Sequence, residues 1–256
     1  MREPPVVEIR EVTKRFGEGP LVLDRLSLAA QTGDFVSLIG PSGCGKSTLL
    51  RLIAGLTPAS DGEIAITKRS SQEAGPDLGF VFQEPTLLPW LTVGKNVELP
   101  QKLRGVDVAA RAETRRHALE LVGITEKADA YPRQLSGGQK MRVSIARALT
   151  LAPKILLLDE PFGALDEMTR ERLNEELLAI RERQEWTAFF VTHSVAEAVF
   201  LSTRIVIMAA NPGRIFAEVP ISLPYPRTPE TRLSRPYQEF VAEVSRVLRS
   251  VETAAA

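Results

Sequence analysis

The apolar residues of this chain follow two rhythms. Val6–Val12 and Leu21–Leu28 alternate apolar and polar side chains roughly every second residue, and Glu63–Thr67 adds a third short β-rich run. A period of two turns one face of a strand to a core and the other to water. Five later runs are apolar almost throughout: Phe35–Ile39, Gly79–Phe82, Ile155–Leu158, Ala188–Val191 and Ile205–Met208. Such runs, taking turns with helical segments, predict a parallel sheet covered on both faces. Lys46–Ala54 reads as a helix with Gly55 as its stop.

Between Leu91 and Thr150 helical periodicity dominates, so a helical insertion is expected there. Residues 1–256 are expected to form a single domain, with an α/β core and β subdomain at 1–90 and 151–210, a helical subdomain at 91–150, and a C-terminal link and helix at 211–256. That last part opens as a proline-rich link (Pro212, Pro220, Pro224, Pro226, Pro229). It continues as a helix whose apolar stripe is Tyr237, Phe240, Val241, Val244, Val247, Leu248 and Val251. The stripe predicts packing on its own domain, with Glu239, Glu243, Arg246 and Arg249 on the solvated face.

Composition narrows the field. A chain of 256 residues can bury a sizeable core. Lys plus Arg and Asp plus Glu stand at 32 each, so there is no global pull toward nucleic acid or acidic lipid. A single cysteine excludes an internal disulfide framework and suits a reducing compartment. The opening MREPPVVEIREV has no apolar core of a signal peptide, and the longest apolar runs are too short to span a bilayer. Any work at a membrane is therefore expected to rely on other chains for the spanning part.

Chemistry concentrates at the ends of the apolar runs. Gly40, Pro41, Ser42, Gly43, Cys44, Gly45, Lys46, Ser47 and Thr48 follow an apolar strand and open a helix, in the pattern G-x-x-x-x-G-K-[ST]. Glycines let successive N–H groups curl around phosphates, the lysine reaches the β/γ-phosphates, and the serine hydroxyl ligates Mg²⁺. Ile155–Leu158 runs into Asp159 and Glu160: the first suits a water-mediated place near Mg²⁺, the second can polarise an attacking water. His193 follows the strand FFV, where it can meet a γ-phosphate, whereas His117, in RAETRRHALEL, reads as a solvated helix residue. Gln83 closes the strand GFVF at the edge where ligands gather in open α/β folds.

Cys44, at the mouth of a helix, sits where a thiol pKa tends to be lowered, although a small filler role is the simpler expectation. A second anion cradle is predicted at Ser136, Gly137, Gly138 and Gln139, which open the helix GGQKMRVSIARAL with Met141, Ile145 and Leu149 on one face.

Taken together, these segments resemble the ATP-binding subunit of ABC transporters. Residues 40–48 match that family's Walker A, Gln83 its Q-loop, Leu135–Gln139 its LSGGQ signature, 155–160 its Walker B, Gly163–Asp166 its D-loop and His193 its switch histidine, in order and spacing over about residues 6–215. The resemblance implies a P-loop NTPase fold: a mostly parallel core sheet, an N-terminal antiparallel β subdomain and a helical signature subdomain. It implies ATP and Mg²⁺ as cofactors, with Ser47, Gln83 and Asp159 around the metal, Phe16 stacked on adenine, and Lys46, Glu160 and His193 in catalysis. It further implies head-to-tail pairing with a second copy, so that each nucleotide on a P-loop is covered by the partner's signature helix; this accounts for two phosphate cradles in one chain.

Two transmembrane permease subunits and a solute-binding protein acting through them are the other implied partners, at the cytoplasmic face of the inner membrane; no nucleic acid is expected. FQEPTLLPWLTVGKNV (82–97) and NPGRI (211–215) look like the nitrate/sulfonate/taurine type of importer, with pyrimidine vitamin precursor importers similar. Leu87, Leu88, Trp90 and Leu91 either pack into the helical lobe or, as in the family, face the permease. Ser194 stands where many relatives carry Asp, and Lys140-Met141 depart from the usual glutamine-rich run. The competing reading is a soluble ABC ATPase acting on an assembly scaffold or nucleic acid.

Overall fold

The computed structural model describes residues 4–67, 78–184 and 186–254; the first residues of the N-terminal stretch read above lie outside them. In chain order its elements are β1 (Val7–Arg15), β2 (Leu21–Ala30), β3 (Phe35–Ile39), α1 (Lys46–Ile53), β4 (Asp61–Ile66), β5 (Leu78–Val81), α2 (Val93–Leu103), α3 (Val108–Leu121), α4 (Gly137–Leu149), β6 (Ile155–Asp159), α5 (Glu167–Arg183), β7 (Thr187–Val191), α6 (Val195–Leu201), β8 (Arg204–Ala209), β9 (Arg214–Pro220), α7 (Pro229–Leu233) and α8 (Arg235–Ala254). They fall into two compact units, Met1–Pro76 with Glu185–Ala256, and Asp77–Gln184.

The first unit holds an antiparallel sheet in the order β2-β1-β4 and a second sheet region around β3. The alternation read from the sequence is visible in β1 and β2: Val7, Ile9, Val12, Leu23, Leu26 and Leu28 are buried while their neighbours face water. β3 and β7 bury every residue, and β3 lies parallel between β7 and β8. Phe35 of β3 meets Trp186 and Phe190 with ring centroids 6.2 and 5.9 Å apart. Each such fully buried ring contributes about 1.5–3 kcal/mol relative to exposure.

The helix expected at Lys46–Ala54 ends one residue sooner. Ala54 is its cap and Gly55 turns left-handed (φ 68°), while the N–H groups of Gly55 and Leu56 return to Leu52 and Arg51. That pair of bonds is the glycine-stopped helix end the sequence predicts.

The proline-rich link expected after Met208 is corrected by a strand. β9 pairs antiparallel with β8, from Ala209↔Arg214 to Arg204↔Pro220. Prolines sit at its margins, Pro212 in the connecting turn and Pro220 as its last residue, where a missing N–H is tolerated. The C-terminal stripe forms α8 as expected: Tyr237, Val244 and Val251 are buried, and Phe240, Val241, Val247 and Leu248 half-buried beside them.

The second unit pairs β5 parallel to β6 and carries α2, α3, α4 and α5 with two 3-10 turns, Thr125–Lys127 and Pro132–Gln134. Arg142 of α4 spans it, donating to Val122 O and to the Glu176 carboxylate of α5.

Candidate functional site

In the first unit the glycine loop leaves β3 and turns into α1. Gly45, the residue before the helix, is left-handed (φ 92°), and a Cβ there would lie 2.5 Å from Leu23 Cδ2. Only glycine fits, on both counts. The Lys46 ammonium is buried and curls over the loop, donating to Gly40 O (2.8 Å) and Pro41 O (3.0 Å). Ser42 and Gly43 are exposed at the tip, and Ser47 and Thr48 are half-buried in the first turn.

Cys44 has no exposed surface. Burial pushes its thiol pKa up, with the nearby Lys46 ammonium only partly opposing this. The lowered pKa expected at a helix mouth is thereby overturned: the desolvation of a thiolate outweighs the helix end.

Sequence reading did not find Gly213. A Cβ at this position would come within 2.2 Å of Cys44 O and 2.7 Å of Val22 O, so its backbone forms the floor of the glycine loop. Its place in NPGRI was visible only as a family likeness, because packing between distant segments leaves no local signal.

β7 lies in register with β3, Leu38 opposite Val191, so the exposed His193 leaves the same sheet edge as Gly40. Ser194 caps α6, its Oγ accepting from Glu197 N (3.3 Å). Capping needs a short acceptor rather than a charge, and serine supplies one here. Phe16 is 52% exposed, with the Lys14 ammonium 4.6 Å from its ring centroid.

In the second unit, the register Val81↔Leu158 brings Gln83 beside Glu160, and Gln83 Nε2 lies 3.5 Å from Glu160 Oε2. Glu160 is left-handed (φ 46°), a conformation that costs a non-glycine residue and aims its side chain away from the strand's course. Asp159, one residue earlier, is buried. Beyond a tight turn, Asp166 caps α5 by accepting from Thr169 N (3.0 Å).

The signature segment differs in one respect from the bare cradle expected. Ser136 and Gln139 form a capping box: Ser136 Oγ accepts from Gln139 N, and Gln139 Oε1 accepts from Ser136 N. The serine still has its own O–H to donate, and the first-turn N–H groups of Gly137 and Gly138 have no intrahelical acceptor. A cavity of about 340 Å³ opens here, lined by Ser136, Gly138, Gln139, Arg142, Thr169 and Arg172 among others.

Two polar residues to which the sequence assigned no role hold the loop after Gln83. Asn96 is fully buried; its Oδ1 accepts from Leu88 N, and its Nδ2 donates to the carbonyls of Leu88, Leu91 and Thr92. Arg147 of α4 donates to Pro85 O, Thr86 O and Thr86 Oγ1. Of the apolar loop residues, Leu87, Leu88 and Leu91 are half-buried, whereas Trp90 is 70% exposed and does not pack into the lobe.

These features fit a nucleoside triphosphate with a hard cation. α2 to α6 each begin with a side-chain cap (Thr92, Asp107, Ser136, Asp166, Ser194), whereas α1 has none among the described residues. An uncapped helix start of this kind is suited to a phosphate oxygen as acceptor. Each unit offers oxygens of the kind Mg²⁺ takes alongside phosphates: the Ser47 hydroxyl in the first, the Asp159 carboxylate and the Gln83 amide in the second.

Comparison with known proteins shows the family. The sequence pattern of the ABC transporter family matches residues 23–163. The nitrate import ATP-binding protein of Synechocystis is 44% identical over 256 residues, covering 96% of each chain. The aliphatic sulfonates import ATP-binding protein of Bacillus cereus is 45% identical over 241 residues, covering 93% of this chain and 94% of that one. A solved dimeric ATP-binding cassette, in a post-hydrolysis state with ADP and Pi, has 33% identity and a TM-score of 0.74, covering 85% of this chain and 99% of that one.

Proposed function

We propose, from the premise that this chain belongs to the ABC transporter family as one of its importer-type, ATP-hydrolysing subunits, that it works as a head-to-tail pair driving uptake of a small solute. The observation that carries this is the contrast between two helix starts. α1 opens with no side-chain cap under a lysine already folded over the loop; α4 opens with a completed capping box whose serine keeps a donor. Each is half of a phosphate site, and two copies facing in opposite directions supply both halves twice.

Within each site, Lys46 exchanges the carbonyls of Gly40 and Pro41 for β- and γ-phosphate oxygens. Residues 40–48 wrap the phosphates with backbone N–H groups, and Phe16 offers a face to the adenine. Ser47, Asp159 and Gln83 would hold Mg²⁺, which neutralises phosphate charge when bound. Glu160 accepts a proton from the attacking water, and His193 hydrogen-bonds the γ-phosphate from the same edge as the glycine loop. Ser136, Gly137, Gly138 and Gln139 of the partner cover it, and Asp166 belongs to the turn that meets the partner. Donors fixed in advance and shielded from water stabilise the transferring group far more than they would in solution.

No helix among the described residues is long and apolar enough to cross a membrane. Two separate permease subunits supply the channel, a solute-binding protein delivers cargo to them, and this subunit lies peripherally on the cytoplasmic face. Gln83 and the loop ending in the exposed Trp90 form the contact with the permease, tied to the signature helix through Arg147. The nitrate, sulfonate and taurine import names of relatives make a small anionic or zwitterionic solute the favoured cargo. A pyrimidine vitamin precursor is the other candidate.

Glu160→Gln tests the catalytic assignment. It keeps the shape and removes the base, so hydrolysis falls roughly 10²–10⁴-fold while equilibrium ATP binding persists. Equal loss of ATP binding would show that the residue is assigned wrongly.

A further inference from the structure

α6 has seven residues, too few to hold a helical shape unaided, and it begins two residues after His193. Its start is closed by a ring of three hydrogen bonds around that histidine. Ser194 N donates to Thr192 Oγ1 (3.0 Å), Thr192 Oγ1 bonds the buried Glu197 carboxylate, and Glu197 N donates to Ser194 Oγ (3.3 Å).

Its other end is held by the segment that follows β9. Arg227, only 4% exposed, donates from Nη1 to the carbonyls of Val199 (3.0 Å), Phe200 (2.8 Å) and Ser202 (2.9 Å), and from Nη2 to Leu223 O (2.9 Å). The Tyr225 hydroxyl donates to Leu201 O (2.8 Å), and the Arg227 guanidinium stacks 4.1 Å from the Tyr225 ring centroid. Four consecutive carbonyls, 199 to 202, therefore accept from two side chains of one short segment. From α8, the Tyr237 hydroxyl adds a bond to Ala196 O (3.0 Å).

Last-turn carbonyls have no intrahelical donor, and a cation there also meets the negative end of the helix dipole. Both ends of α6 are thus held, one by the histidine's own turn and one by the C-terminal segment.

We infer that Arg227 and Tyr225 are positioning residues for His193: they set the place of α6, and through it the reach of the imidazole toward the γ-phosphate. This rests on the role given to His193 above. The test uses the full chain with Arg227→Gln and Tyr225→Phe. The protein has two histidines, and the other, His117, is exposed on α3, so the two ring signals can be followed separately by NMR.

The expected result is a displaced or split His193 signal with His117 unchanged, and kcat for ATP about tenfold lower, since small misplacements of a reacting group cost that much or more. KM and nucleotide affinity stay near wild type. In a His193→Ala background the same substitutions lower kcat no further. If Arg227→Gln does not fold, Tyr225→Phe, which deletes a single hydroxyl, carries the test.

Lower thermal stability with an unmoved His193 signal and normal kcat would overturn the inference, leaving a structural clamp only. An additive fall in the His193→Ala background would overturn it as well. If His193→Ala itself leaves kcat unchanged, the role assigned to the histidine fails, while its NMR signal still decides whether the segment positions the ring.

Discussion

Cys44 sits in the middle of the glycine loop with its Sγ 3.6 Å from the Lys46 ammonium and no surface open to solvent. Burial dominates its titration and raises the pKa, so thiolate is scarce at neutral pH. Alkylation of the native protein at pH 7.5 is expected to run at least about tenfold slower than in the urea-unfolded chain, with ATP adding little further protection. Equal rates in the two states would contradict the burial. The residue's identity and place were legible in the sequence; its reactivity was not, because desolvation is set by Gly213 and other segments far away in the chain. Glu160 shows the same division. Its position after an apolar run marks it for chemistry, while its left-handed backbone and the approach of Gln83 emerge only when β5 and β6 pair.

At the scale of elements, the local signals were strong wherever one element decides its own shape. The side-chain caps that open α4 and α5 emerge only in the structure, whereas the buried strands, the glycine-stopped end of α1 and the stripe of α8 all follow from period and stop residues. β9 did not, because its prolines mask a strand whose existence depends on pairing with β8. The caps carry a pH signature. The Thr169 N–H bond, then that residue's side chain, holds the Asp166 carboxyl below its ordinary pKa. With the folded pKa below the unfolded one, the stabilisation is complete above the unfolded value and is lost as pH falls through the folded value. Asp166→Asn keeps the cap but removes the titration, so its urea midpoint should fall less than wild type below about pH 4, the ordinary carboxylate range. Parallel acid profiles for the two proteins would show that the Asp166 cap does not contribute to the acid sensitivity.

At the scale of the whole molecule, the proposed function makes two helix starts of different construction, α1 uncapped and α4 closed by a capping box, the halves of a site that is completed by a second copy of the chain. The P-loop half and the signature half can be broken independently, which allows a direct mixing experiment. Lys46→Ala disables the first half and Ser136→Arg blocks the second, so neither variant hydrolyses ATP alone. In a mixed pair, one site combines both defects and the other combines the intact P-loop of one protomer with the intact signature of its partner. The decisive measurement is the ATPase rate of the two purified variants before and after mixing: activity that returns on mixing is the predicted result, and a mixture as inactive as its components would contradict the shared site.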